Sequence, residues 1–331
     1  MDIESQVFTP VKIGPVTLRN RVIRSAAFEN MAYGNRPSQD LYDYHTAVAR
    51  ALVRDTDFVN KLRSGRILIT GATGSMGAAA VEALASQGTP VLMACRNLKK
   101  ADVVREDILT RVPDADLEIR QLDLASLESV RRFAQDLEPG RVSALFHNAG
   151  VISKGYSLTG NGFENTFSVN YLGPWLLTRL LLPKLPEDAR LVFMVSLTCH
   201  FASLKPGMLQ PAPKDFTQLG TYASAKRALL SFSLELSRRY PSLQVHLADP
   251  GVVASDMIDL GHWYDPLADR FFKPHCKKPL DGVRPALRAL ATTQTEPRYF
   301  VGKGDKPIPH RYETPLLDAR LWEETEQLIM Q

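Results

Sequence analysis

The chain has 331 residues, 44% of them hydrophobic, which is enough for one large buried core with length to spare for an extension. Lysine and arginine outnumber aspartate and glutamate 40 to 36 without gathering into a basic block, which argues against nucleic acid as a partner. The three cysteines, Cys95, Cys199 and Cys276, stand far apart with no CxxC pair, so neither a zinc site nor a disulfide framework is expected.

The first sixty residues form an extension, not counted as an independent domain, and residues 61–331 form the main one. The opening run, Val7-Phe-Thr-Pro-Val-Lys-Ile-Gly-Pro-Val-Thr-Leu-Arg-Asn-Arg-Val-Ile-Arg24, does not share the rhythm of the main domain. It resembles the start of the old yellow enzyme family of flavin-dependent ene-reductases over about Gln6 to Arg50, with a seam near Ala49 to Asp55. A barrel of that kind needs eight strands to close, so one strand's worth of sequence is expected to hold no flavin.

From Arg66 onward short β-rich runs alternate with helix-length segments. Ile67–Thr70, Pro90–Cys95, Leu117–Gln121, Ala144–His147, Leu191–Val195, Leu243–Leu247 and Arg298–Val301 are predicted strands. Such alternation implies right-handed βαβ crossovers: an α/β, Rossmann-type doubly wound parallel sheet with helices on both faces and ligands at the carboxyl ends of the strands. The most apolar stretch, Trp175–Leu185, is broken by Arg179, Pro183 and Lys184, and the N-terminus carries Asp2 and Glu4. A membrane span and a secretory leader are therefore not expected, and a cytoplasmic protein is.

The first strand runs into Thr70-Gly71-Ala72-Thr73-Gly74-Ser75-Met76-Gly77. Glycines there let the backbone turn tightly and approach a pyrophosphate, whose charge meets the free N–H groups of a helix start. Asn148, Ala149 and Gly150 after the fourth strand support the same site. Asp123 after the third could accept from an adenine amino group or serve as an ordinary turn residue. After the second strand, where an acid would grip a ribose 2′-hydroxyl, the chain has Cys95-Arg96-Asn97 with Lys99 and Lys100, which suits a 2′-phosphate. NADP(H) is therefore expected in preference to NAD(H).

Tyr222-Ala-Ser-Ala-Lys226 places an ammonium one helical turn from a phenol, an arrangement expected to bring the phenol from about 10 toward neutrality and make it a usable proton donor. Pro174 lies four residues after Asn170, so a helix there loses the partner of the Asn170 carbonyl and should kink.

Taken with Ala94-Cys-Arg96, Gly162-Phe-Glu-Asn-Thr-Phe-Ser-Val-Asn-Tyr-Leu-Gly173 and Leu321-Trp-Glu-Glu, these strings resemble the short-chain dehydrogenase/reductase family from about Arg63 onward, and within it the retinol-dehydrogenase and protochlorophyllide-reductase branch. The resemblance implies Tyr222 as acid/base, Lys226 on the nicotinamide ribose, Asn170 tying a water into a proton relay, and a serine orienting the carbonyl. It also implies that Pro250, Gly251, Val253 and Ser255 close over the nicotinamide, and that homodimers or homotetramers pair the helices carrying Asn170 and Tyr222. The serine departs from the pattern: aligned on His200, Val195-Ser-Leu-Thr-Cys-His200 puts Leu197 at its position, leaving Ser196, the preferred reading, or Thr198 to supply the hydroxyl.

Trp263, Tyr264, Phe271 and Phe272 among prolines between Met257 and Lys278 suit either an apolar substrate lid or plain packing. His200, His262 and His275 are scattered and read as non-ligands, so no metal is expected. Two functions are compatible with these features: an oxidoreductase interconverting a secondary alcohol and a ketone or aldehyde on a bulky lipophilic, steroid-, terpenoid- or retinoid-like substrate, or an NADP(H)-binding sensor or scaffold without turnover.

Overall fold

The computed structural model describes residues 65–205, 207–253 and 276–330, together with the backbone of four short strands near the N-terminus. By contacts the chain divides into Met1–Thr56 and Asp57–Gln331. The first unit contains two antiparallel hairpins, Val11–Ile13 with Val16–Leu18 and Ala32–Tyr33 with Arg36–Pro37. The remaining residues that carry the ene-reductase resemblance lie outside the described ones, as do Ser255 and the aromatic run Trp263–Phe272.

The second unit is built on one sheet. Its strands are β1 (Arg66–Thr70), β2 (Val91–Cys95), β3 (Leu117–Gln121), β4 (Val142–His147), β5 (Arg190–Met194), β6 (Gln244–Asp249), β7 (Arg298–Val301) and β8 (Gly304–Pro307). They lie in the order β3-β2-β1-β4-β5-β6-β7-β8, all parallel except the β7–β8 pair. Order reverses between β1 and β4, so the crevice at their carboxyl ends is the natural ligand site of such a sheet.

Alternation along each strand explains the layers. Ile67, Ile69, Met93, Phe146 and Val192 belong to one core, covered by α1 (Ser75–Ala85), α2 (Leu98–Arg111) and α6 (Pro279–Ala291). Their neighbours Leu68, Leu92, Leu145, Leu191 and Phe193 belong to the other. That second core is covered by α3 (Leu127–Asp136), α4 (Asn165–Phe167, running on through Ser168–Leu172 into Gly173–Leu181), α5 (Gln218–Arg239) and α7 (Pro315–Ile329). Strands buried on both faces need apolar residues at both parities, which is why they read as continuous runs and not as alternating ones. β8 has no such signal, because it is an exposed edge strand carrying Asp305, Lys306 and Pro307, side chains that discourage further pairing.

Helix α7 packs across α4 and α5. The Trp322 ring lies 5.7 Å from Trp175 and 5.4 Å from Phe232, with the guanidiniums of Arg179 and Arg239 over it at 5.0 and 4.7 Å. Tyr171 and Thr325 share a 2.6 Å hydrogen bond, and Arg238 pairs with buried Asp318 at 2.6 Å. The part of the α4–α5 surface that α7 occupies is thus closed to a second copy, so the helix pairing implied by the family resemblance cannot use it. Among the described residues no helix is long and apolar enough to cross a membrane.

Because Trp322 is buried at the centre of this contact, Trp322→Ala should lower the unfolding free energy by about 3–5 kcal/mol. Urea denaturation would measure it, and a loss below about 1 kcal/mol would show that α7 is peripheral.

Candidate active site

The turn after β1 is shaped for close approach. Gly71 adopts φ +66°, and a Cβ there would stand 2.9 Å from the Ala149 backbone. At Gly77 a Cβ would strike the Gly71 carbonyl, so α1 can start this close to β1 only with glycine. Thr70 Oγ1 accepts the N–H groups of Asn148 and Ala149, both at 3.1 Å, and the Asn148 amide donates to the carbonyls of Thr70 (3.0 Å) and Gly71 (3.3 Å). Asn148 and Ala149 therefore join the ends of β1 and β4, and Asn148 spends its donors on that join.

The N-terminus of α1 meets the crevice uncapped: Gly74 offers no side-chain cap and the first turn holds no acidic residue. Half-buried Thr73, Ser75 and Met76 surround exposed Gly74. Free N–H groups at the end of a helix dipole, beside a wall made of glycine, fit the pyrophosphate of a dinucleotide. Arg96, Lys99 and Lys100 are exposed at the start of α2, while Asn97 caps that helix by accepting the Lys100 N–H at 3.0 Å. Asp123 Oδ1 accepts the Ala125 N–H at 2.9 Å, as in a turn.

Three elements converge behind this turn. A Cβ on Gly150 would stand 2.9 Å from Asn170 Oδ1 and 3.3 Å from Lys226 Nζ, so only glycine lets the two side chains approach. Asn170 is fully buried, accepting from Val151 N–H (3.3 Å) and donating to the carbonyls of Val151 (2.8 Å) and Thr166 (2.7 Å). Its backbone sits in a π turn, Ser168–Leu172, immediately before Gly173-Pro174. Where Pro174 predicts a kink, the helix widens into this π turn.

Lys226 is 2% exposed, and its ammonium donates to the Met194 carbonyl at 2.9 Å at the end of β5. Burial holds it down to about 8. Tyr222, half-buried one turn earlier, presents its ring 5.8 Å from that nitrogen. Its phenol does not follow the expectation. Burial pushes it above its usual value, the Ser196 hydroxyl bond draws it back only in part, and Asp249 adds to the rise. Residue spacing reports the charge of Lys226 and not desolvation, which is the larger effect here.

Of the two candidate hydroxyls, Ser196 is the one that acts on the phenol. It caps a 3₁₀ turn, Leu197–Phe201, accepts from the Thr198 N–H (3.2 Å) and the Thr198 hydroxyl (3.0 Å), and draws the Tyr222 pKa down. Leu197 is 46% exposed instead. Thr198 thus braces the serine.

Other contacts here carry no signal in the sequence. Asp249 at the end of β6 accepts the Gly251 N–H (2.8 Å) and the Tyr299 hydroxyl (2.7 Å), fixing the Pro250-Gly251 turn, where Gly251 has φ +70°. Lys277 donates to the Pro250 carbonyl at 3.0 Å and pairs in parallel with Val253, which in turn packs against Gly282. His200 accepts from Arg311 at 2.7 Å and hydrogen-bonds Tyr312, tying the Ser196 turn to the C-terminal region. Among the described residues no cluster of histidine, cysteine or carboxylate could hold a metal.

Comparison with known proteins gives a consistent result. A family model described as short chain dehydrogenase matches residues 66–262. Retinol dehydrogenase 12 of mouse (Mus musculus) is 31% identical over 272 residues, covering 80% of this chain and 85% of that one. Human (Homo sapiens) retinol dehydrogenase 11 is 35% identical over 198 residues, 58% and 62% of the two chains. Among solved structures, an uncharacterized protein from Mycobacterium paratuberculosis superposes with a TM-score of 0.66 at 28% identity over 82% of this chain and 95% of that one. A short-chain dehydrogenase from Sphingobium yanoikuyae in complex with NADPH shares the fold at TM-score 0.56 and 20% identity, over 79% and 95%.

Two buried rings near this site and in β6, His147 and His246, are held down to about 3 mainly by burial. A base whose folded pKa lies below its unfolded value of about 6.5 binds fewer protons when folded, so its stabilising contribution is complete above that value and shrinks as pH falls toward the folded one. Together the two rings should remove about 2–3 kcal/mol of stability between pH 7.5 and 5.5. Urea unfolding at the two pH values checks this, and His246→Phe should abolish about half of the loss.

Proposed function

The chain belongs to the short chain dehydrogenase family and is an oxidoreductase of alcohol and carbonyl groups; from that premise we propose that it uses NADP(H) to interconvert a secondary alcohol and a ketone or aldehyde on a bulky lipophilic substrate. The observation that carries this reading is the convergence of Ser196, Tyr222 and Lys226 at the carboxyl end of β5, with the Ser196 hydroxyl acting on the phenol and Lys226 one helical turn away. Gly71, Gly74 and Gly77 with the N-terminus of α1 would hold the pyrophosphate, and Arg96 with Lys99 and Lys100 the 2′-phosphate. Lys226 would reach the nicotinamide ribose from the floor of the crevice, and the Pro250-Gly251-Val253 turn would border the nicotinamide. When bound, the cofactor supplies or takes the hydride.

The chain's own residues handle the proton. Tyr222, kept protonated by burial, donates to the carbonyl oxygen; the same burial raises its pKa and makes it a weaker acid, an effect that the Ser196 hydroxyl offsets in part. Ser196 points its hydroxyl at the same oxygen and holds the carbonyl in line. Asn170, packed against Gly150 and Lys226, supports the relay that returns a proton to the phenol. The sensor reading draws its force from Leu197, and a serine one residue earlier that acts on Tyr222 weakens that support.

A lipophilic substrate is supported by the residues around the phenol. Leu197 directly follows Ser196, and Leu219, 54% exposed, precedes Tyr222 by one turn on the same face of α5. Tyr156 packs edge-on against Phe216 at 5.9 Å beside them, and Gln218 anchors that loop by donating to the Lys154 carbonyl at 2.8 Å. The retinol dehydrogenase relatives point to the same substrate class.

Tyr222→Phe should cut the rate of ketone reduction by about 10²–10⁴-fold while NADPH binding is retained, and Ser196→Ala by somewhat less. Steady-state kinetics with fluorescence titration of NADPH decides it, and an active phenylalanine variant would end the reading. Arg96→Ala should weaken NADPH about ten- to a hundredfold and leave NADH nearly unchanged. Equal losses for both cofactors would contradict NADP(H) preference.

A further inference from the structure

We propose that His147, through Thr178, is a positioning residue that holds the π turn of α4 so that Asn170 and Lys226 meet across Gly150. The proposal rests on the reductase reading for its kinetic consequence and on geometry for everything else.

His147 is the last residue of β4 and is buried. Its Nε2 lies 2.8 Å from Thr178 Oγ1, and the Thr178 hydroxyl donates to the Pro174 carbonyl at 2.8 Å. A threonine has one hydroxyl hydrogen, so with that hydrogen spent on Pro174 the bond to the ring must run from Nε2–H into the threonine oxygen. This fixes the tautomer, and His147 Nδ1 is buried without a partner. The ring's one hydrogen bond is therefore the one it makes to α4.

The chain His147–Thr178–Pro174 ends where α4 is irregular. Pro174 has no N–H to give, Thr178 back-bonds to the carbonyl four residues earlier in a way that bends helices, and the π turn with Asn170 lies just before both. Nothing in the local sequence sets how far such a bend opens, whereas a hydrogen bond from the sheet does. His147 is also three residues from Gly150, against which Asn170 Oδ1 and Lys226 Nζ pack. On its other side the ring stacks on Phe193 at 4.8 Å, and the next residue, Met194, supplies the carbonyl that holds Lys226. One imidazole therefore touches or adjoins all three elements that set the Asn170–Gly150–Lys226 cluster. Because burial and the nearby Lys226 keep the ring uncharged down to about pH 3, it holds this geometry without titrating in the working range.

Thr178→Val is nearly isosteric and removes both bonds, and Thr178→Ser keeps them. Carbonyl reduction is measured for both, and for His147→Phe, together with NADPH affinity, thermal midpoints and crystal structures. The expected result is a kcat about ten- to a hundredfold lower in Thr178→Val and His147→Phe, with KM for NADPH within about twofold, and recovery in Thr178→Ser. In the valine crystal structure Asn170 should have left its contacts with Val151 and Thr166. Wild-type kcat in Thr178→Val, or an unmoved Asn170, overturns the proposal even if stability falls. A wild-type enzyme inactive on every carbonyl substrate sinks the reductase reading instead, and the crystal comparison still decides the positioning role.

Discussion

A buried ammonium is the constraint to which the rest of the site conforms. Removing Lys226 from water costs several kcal/mol unless polar groups replace its hydration, and the held-down value of about 8 records that cost. The replacement comes from main chain and not from a carboxylate: the Met194 carbonyl ends β5 at the right depth, and Gly150, lacking a side chain, lets the Asn170 oxygen come alongside. A carboxylate partner would have bound the cation firmly and left it nothing for a ligand. A single carbonyl leaves ammonium hydrogens for a ligand, and in a dry environment the charge it carries acts over longer reach.

The same dryness acts on the phenol in the opposite sense to the ammonium's attraction. Desolvation disfavours phenolate as it disfavours ammonium, and Tyr222 is pushed up while Lys226 is pushed down. The pair is thereby held with the acid protonated and the cation close to giving up its charge. The Ser196 hydroxyl offsets part of this, and Thr198, with two bonds to Ser196 Oγ, occupies its acceptor positions and leaves its one hydrogen to be given.

Most of this architecture is legible in the sequence, and the exceptions share a cause. The seven parallel strands announce themselves because burial on both faces demands apolar runs, and the glycine positions because backbone proximity admits nothing larger. β8 escapes notice because an exposed edge strand needs no apolar residue. The downward shift expected of Tyr222 fails because spacing reports charge proximity and is silent about burial. Asp249 with Tyr299, His200 with Tyr312, and Lys277 with Pro250 join residues far apart in the chain and carry no periodic signature, so only the fold could reveal them. Which hydroxyl reaches the phenol depends on the shape of a turn, which aligning letters on His200 cannot represent.

These long-range contacts have a common direction. His200 fastens the Ser196 turn to Arg311 and Tyr312, Tyr312 stacks on Tyr299 at 6.2 Å, and Tyr299 bonds Asp249, which sets the Pro250-Gly251 turn. The Ser196 turn and the Pro250-Gly251 turn are thus tied through one network that runs by way of Tyr312 and Tyr299. Helix α7 then packs behind α5, fixing from the outside the helix that carries Tyr222 and Lys226. Residues 298–329 therefore act on the site without lining it: they remove freedom from these two turns. Rigid support of this kind is what a hydride transfer needs, since small losses of alignment between donor and acceptor cost rate steeply.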